Sequence, residues 1–468
     1  MLIIIACVVV LVVLFYVEEN WRGKHAWETY KRQREAKGDS FEWSSVVPPP
    51  VPDDQNFAAI PLFAELFPKP PTHPRLEAAH LPDCTNALGN WRVGRTEDLS
   101  VWRACFTNTD LLAALSKYGP VLSEITEASR RSYCRFPLRY EDNDKMLLPH
   151  LSHLRHLTGA YRLRALVELS NGRADAAFDD VQTCLRLAGT IKHEPLIIPF
   201  LVRVALIDLG TQPIWEGLAA HCWDDNQLAA LQASFENMDQ FGSFDQAIHG
   251  ERLLASHTVQ WLQAHPEEAF EWSVFMQEES PSIRLRRWFG LPSACFYHSE
   301  LSVDQFYTEM FLPTIDFGHQ RISPKAVAAA SASIPAILKN PYNALSGLFI
   351  SPREGELRKL ALSQSGVQEV AVACALERYR LGSSQLPDRL DSLVPQFLTR
   401  VPRDVIDGQL LRYRRTTVDQ FVLYSIGWNE HDDGGQIAWK KDEPRKQDLE
   451  AGDWTWFSQP QPSASERK

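Results

Sequence analysis

LRALVELSNGRADAAFDDVQTCLRL, residues 163–187, is the stretch on which the fold class turns. Its apolar residues recur at three- and four-residue steps on both sides of Asn171 and Gly172, the period of two α-helices joined by a tight turn. Gly172 sits at the turn, Ala176, Ala177 and Phe178 are expected to pack the second helix on the first, and Leu185 and Leu187 close the pair. Upstream, Leu147, Leu148, Leu151, Leu154 and Leu157 put an apolar stripe on a preceding helical face. Downstream, helices are expected over 196–209 and 227–238, the second capped by Asp224 or Asp225, and then over 246–264. Loops marked by Pro281, Pro292, Pro313, Pro335 and Pro341 separate the later helices, and the alanine-rich run 326–336 is weakly patterned.

The hairpin at 157–188 resembles one tetratricopeptide-type unit. Repeat architectures need several stacked units, so the expectation for residues 86–350 is a helical body with packed hairpins rather than a repeat array.

At the other end, the run from Leu2 to Val17 carries no charge and no proline. As a helix it is roughly 25 Å long, close to a ~30 Å hydrocarbon core. Tyr16 and Trp21 suit the interface, and Glu18 and Glu19 mark the start of water. A cleaved signal peptide would carry a basic start, a shorter apolar region and small residues at the cut, so residues 1–20 are read as an uncleaved transmembrane anchor. Residues 21–38 continue as a helical stalk whose basic residues Arg22, Lys24, Lys31, Arg32, Arg34 and Lys37 face water or lipid headgroups. Proline clusters at 48–52 and 68–74 make 39–85 a semi-rigid spacer, with one apolar island from Phe57 to Phe67 able to dock on the body.

The last hundred residues follow a different pattern. A long helix over 357–381 ends in Leu376-Glu377-Arg378-Tyr379-Arg380, then come Leu386-Pro387, Leu390, Leu393-Val394-Pro395 and Val401-Pro402-Arg403-Asp404. Two β-type runs, 411–415 and 421–427, lead to Trp428-Asn429-Glu430-His431-Asp432-Asp433-Gly434-Gly435. This order resembles the globular domain of type II secretion pseudopilins and implies an α+β module over 351–458, followed by a disordered tail, 459–468. The resemblance also implies a Ca²⁺ loop, with Asn429, Glu430, Asp432 and Asp433 as hard oxygen ligands beside the glycines and Asp448 or Asp453 completing the shell. The competing reading of the same loop is a solvated Asp-Gly turn closing the sheet. Unlike pseudopilins, the chain carries its apolar run hundreds of residues upstream, without the prepilin-peptidase site, so processing as a pilin is not expected.

The overall expectation is a mainly α protein with a small C-terminal α+β module behind a transmembrane helix. A formal charge of −11, with no Lys/Arg stripe in the body, argues against nucleic acid as a partner. The eight cysteines are scattered without a C-x-x-C pair and read mostly as small buried apolar residues. Residues 89–96 have phosphate-loop spacing but follow no strand, so the match is read as coincidence. His150, His153 and His156 are read as partly exposed flank positions rather than a metal site, and His249 with Glu251 and Arg252 as a helix ion pair or cap. The expected role is a single-pass scaffold or interaction protein of the bacterial inner membrane, touching lipid through residues 2–17 and a protein partner through its body. The basic flank argues for a cytoplasmic body, the pseudopilin-like module for a periplasmic one, and the periplasm is preferred. An envelope enzyme of hydrolase type with a site in the helical body, and an accessory part of a secretion or pilus-like assembly, are the alternatives.

Overall fold

Membrane-type apolar sequence and globular sequence share the first helix. In the computed structural model, which describes residues 2–67, 112–265 apart from 114 and 117, 292–442 apart from 344, and 446–460, α1 runs unbroken over Leu2–Glu35. The phosphate-loop spacing at 89–96, Cys84, Cys105, the second proline cluster and residues 461–468 of the tail lie outside the described residues.

The fold is mainly α, with small antiparallel sheets towards the C-terminal end. After α2 (Gly119–Ala128), α3 (Pro149–Ser170) and α4 (Ala174–Gly189) form the hairpin expected from residues 163–187. Gly172 holds φ +73 at the turn, a conformation that L side chains resist. Ala177 and Leu187 are fully buried, whereas Ala176 faces solvent. Leu151 and Leu154 are buried in α3, but Leu147 precedes the helix and is exposed.

α5 (Ile197–Ala219) packs on both hairpin helices. It reaches the length and hydropathy of a membrane span, yet 67% of its apolar window is buried inside the protein. It is a core helix. α6 (Asp225–Glu236) begins with a full capping box: the Asp224 side chain accepts from Gln227 N–H, and Gln227 returns the bond to the Asp224 backbone. These reciprocal bonds satisfy two otherwise free donors.

α7 (Gln240–Ala264), α8 (Ser293–Gln305), a π-helical stretch Phe306–Phe311, a short β1–β2 pair (315–316 with 321–322) and α9 (Pro324–Leu338) follow. α10 (Glu354–Ser383) is the central helix. Its Val367, Val370, Cys374 and Leu376 share one core with Phe57 and Phe63 from the N-terminal segment, Trp215 from α5, and Leu423 and Trp456 from the C-terminal strands. The expected spacer therefore contributes core as far as residue 67: the island at 57–67 docks, with Phe63 against Phe136. The C-terminal strands are likewise fused to the body, since the Trp215 indole donates to the Phe457 carbonyl at 2.6 Å and Gln459 to the Ala219 carbonyl at 2.9 Å.

β3 (Arg412–Arg415), β4 (Phe421–Ser425) and β7 (Trp454–Phe457) form an antiparallel sheet in the order β3-β4-β7, beside a β5–β6 pair (437–439 with 447–452). Leu423 lies opposite Tyr413 and Trp456, and both Leu423 and Trp456 are buried. Phe421, Leu423 and Ser425 are buried on one face of β4, and Tyr424 on the other face is buried as well, so the second half of the strand is covered on both sides.

Candidate functional site

Among the described residues, a group of buried charges lies where the charged C-terminal half of α1 meets α7 and α8. Gly23, Trp27 and Tyr30 fall at steps of four and three, so they share one helical face, and that face is buried. Residues 21–35 are therefore no free stalk. A Cβ on Gly23 would stand 3.3 Å from both Ala294 Cα and His298 Cδ2, so glycine lets the two helices cross closely. Asn20 Oδ1 accepts the Ala294 N–H at 2.7 Å, which satisfies a free donor in the first turn of α8. Further along, Trp27 meets Phe41 edge-to-face at 5.6 Å, and the Tyr30 hydroxyl bonds Thr308 Oγ1 at 2.8 Å. Thr308 lies in the π-helical stretch, where the widened turn brings it to α1.

Arg252 of α7 sits under this face, 3% exposed, with Asp304 of α8, 2% exposed, at 3.3 Å. The same guanidinium reaches Asp39 at 3.1 Å and the Ser40 carbonyl at 3.3 Å, and Arg34 adds a 2.6 Å contact to Asp39. Burial alone would push Asp39 up, but Arg252 and then Arg34 outweigh it and hold the carboxyl below its ordinary value. For Asp304 burial wins over Arg252, and its pKa is raised. One turn away, burial pushes Glu300 up to about 7; Gln260, Lys31 and Ser256 favour its charge, and Glu28 opposes it. Of the basic residues expected to face lipid, Arg34 is committed to Asp39, Arg22 to Glu19 at 2.7 Å, Arg32 to the Glu28 carbonyl at 3.1 Å, and Lys31 lies over Phe41. The cluster pairs cations with carboxylates out of solvent, which fixes geometry rather than reactivity.

The candidates read from sequence fall elsewhere. His150 is fully buried, not a flank position: it stacks on Phe136 at 4.1 Å and its Nε2 lies 2.9 Å from Glu194. His153 bonds its own helix at the Pro149 carbonyl, and His156 is exposed. The three histidines therefore do not converge. The nearby Cys134 thiol is pushed up by burial and by Glu194, the opposite of an activated nucleophile. His249 pairs with Asp245 in its own helix at 3.4 Å, and Glu251 accepts the Ile197 N–H at the start of α5. The Glu251 contact is a cap, as one reading of the sequence expected.

In the 429–435 loop, Asn429 donates to Asp433 at 2.9 Å, while Asp432 accepts from the Tyr424 hydroxyl at 3.1 Å and faces Arg412 at 3.6 Å. Asp453 accepts the N–H groups of Asp433 and Gly435. Glu430 is exposed with φ +59. The loop carboxylates thus answer protein donors, and among the described residues no three His, Cys, Asp or Glu side chains form a metal cage.

His221, at 2.9 Å from Glu377, lines a cavity of only about 10 Å³, room for a single water rather than a substrate. A wider open groove of about 610 Å³ runs over β3, β4 and β7.

No family model, curated protein or solved structure matches the chain. The likeness to pseudopilins therefore rests on the quoted residues alone. The α1 face was legible in principle from Gly23, Trp27 and Tyr30 at helical spacing. The partners Arg252, Glu300 and Asp304 are hundreds of residues away and carry no sequence signal.

Proposed function

We propose that the chain is a single-pass, membrane-anchored interaction protein of the bacterial cell envelope, with its body locked onto the anchor helix. The observation that carries this reading is the contrast within α1. Val8 to Phe15 are 46–66% exposed on every side of the helix, whereas Gly23, Trp27 and Tyr30 of the same helix are buried against the body. A helix apolar all round needs an apolar surround, and the described residues of the body do not supply one here. Lipid does.

The helical hairpins support a role in binding a protein partner, and the periplasm remains the preferred side. In this reading the buried charges at the junction set the angle at which the body leaves the membrane. Membranes washed with alkaline carbonate test the anchor: the protein is expected to stay in the pellet and to need detergent for release. Recovery in the carbonate supernatant overturns the reading. Protease added to spheroplasts is expected to degrade the body, and protection there would assign it to the cytoplasm. Crosslinking before detergent extraction then identifies the partner, and secretion components in that fraction would favour the assembly role.

A further inference from the structure

We infer that the body rests on the bilayer surface through a second contact, formed by the C-terminal end of α9 and the residues that follow it. The inference rests on reading Leu2 to Val17 as a membrane span. The direction of each helix relative to α1 carries it. α8 runs alongside α1 in the same sense, with Ala294 at Asn20 and the following π-stretch at Tyr30. α7 runs the opposite way, since Arg252 meets Asp304, Ser256 meets Glu300, and Leu262 shares a cluster with Phe296. α9 also returns. It starts beside Thr314, whose carbonyl accepts the Ser323 N–H, beyond the level of Tyr30, and its fifteen residues cover about 22 Å. Four residues past its end, Tyr342 packs on His298, which lies against Gly23 of α1, one turn past Glu19.

Glu19 ends the apolar run, with its side chain buried against the body, and the span reading puts it at the headgroup level. The C-terminal ends of α7 and α9 therefore lie at the headgroup level, on the membrane side of the body. The residues there have interfacial chemistry. Trp21 is 65% exposed and Leu338 38% exposed, Lys339 is exposed beside it, and Tyr342 and Trp261 are half-buried. Trp and Tyr favour this zone, and a lysine keeps its ammonium among headgroups while its stem lies on apolar surface. Leu338, Lys339 and Tyr342 thus form a seat continuous with the anchor, and its occupant is the lipid surface.

The test uses the full-length protein in phosphatidylethanolamine–phosphatidylglycerol vesicles containing a lipid with a diazirine near the top of its acyl chain. After irradiation, mass spectrometry locates the adducts. Adducts are expected at 2–18 and at 335–342. Adducts at 2–18 alone overturn the seat and leave the anchor intact, and adducts at neither overturn both. In the Leu338→Glu protein, checked for its fold by circular dichroism, labelling at 335–342 is expected to fall at least fivefold while labelling at 2–18 is unchanged. Undiminished labelling at 335–342 would mean non-specific capture and would also overturn the seat.

Discussion

Replacing Glu300 with Gln is expected to remove a pH-dependent weakness that the docking of α1 creates. Glu300 is buried between α8, α7 and α1, with Ser256 at 3.4 Å, and burial raises its carboxyl from an ordinary 4.5 to about 7. An acid whose folded pKa is raised holds its proton longer in the native state, so native stability falls as pH climbs from the unfolded pKa through the folded one. At 1.36 kcal/mol per unit, the wild type loses about 1 kcal/mol by pH 5 and about 3 kcal/mol by pH 8. The glutamine protein keeps a neutral group of the same shape and has no such slope. Urea unfolding of full-length protein in detergent micelles, followed by tryptophan fluorescence at pH 5 and pH 8, reads the difference directly. The stability gap between Glu300→Gln and wild type is expected to widen in favour of the variant by about 2 kcal/mol between the two pH values. A gap that does not change with pH would mean that Glu300 is in water, and that residues 21–35 stand away from α8 after all.

Three further outcomes follow from the same structure. Arg252→Met leaves Asp304 and Asp39 without their shared buried cation and is expected to cost about 3–5 kcal/mol, read as a lower urea midpoint; a midpoint equal to wild type would remove the ionic cluster from the account. At Gly250, a Cβ would sit 1.6 Å from the Pro195 carbonyl oxygen, so Gly250→Ala must push α7 away from the 189–197 connection. It is expected to lose about 3 kcal/mol, seen as a fall in Tm, and an unchanged Tm would contradict that close approach. Calcium added to metal-stripped protein is expected to leave Tm unmoved, because Asp432 and Asp453 are already engaged by Arg412, Tyr424 and backbone N–H groups; a rise of several degrees would restore the loop as a cation site.

Local signals were legible in the sequence and long-range ones were not. The turn at Gly172, the cap at Asp224, the length of α10 and the strands at 412–415 and 421–425 each depend on residues within one or two turns of one another. The helix expected over 196–209 stops short of the observed α5, which continues through Pro213 to Ala219, with Gly210 and Trp215 packed into the core. β5, β6 and β7 have no clear alternation; β7 is placed by β4 and by Trp215 of α5, and β5 and β6 pair with each other in a separate sheet. The junction was missed for a different reason. Basic residues after an apolar run read as a solvated stalk, and nothing local to Trp27 or Tyr30 announces Phe41, Asp304 or Thr308 as partners.

Limited trypsin digestion of native membranes tests the central claim, that one helix both spans the bilayer and belongs to the folded body. Lys24, Lys31, Arg32 and Arg34 offer cleavage points along the charged half of α1. With the helix docked, mass spectrometry of the native digest is expected to find these bonds intact and the body still sedimenting with the membrane, and the same bonds cut once the protein is denatured. Rapid native cleavage there, releasing a soluble folded body, would contradict the account.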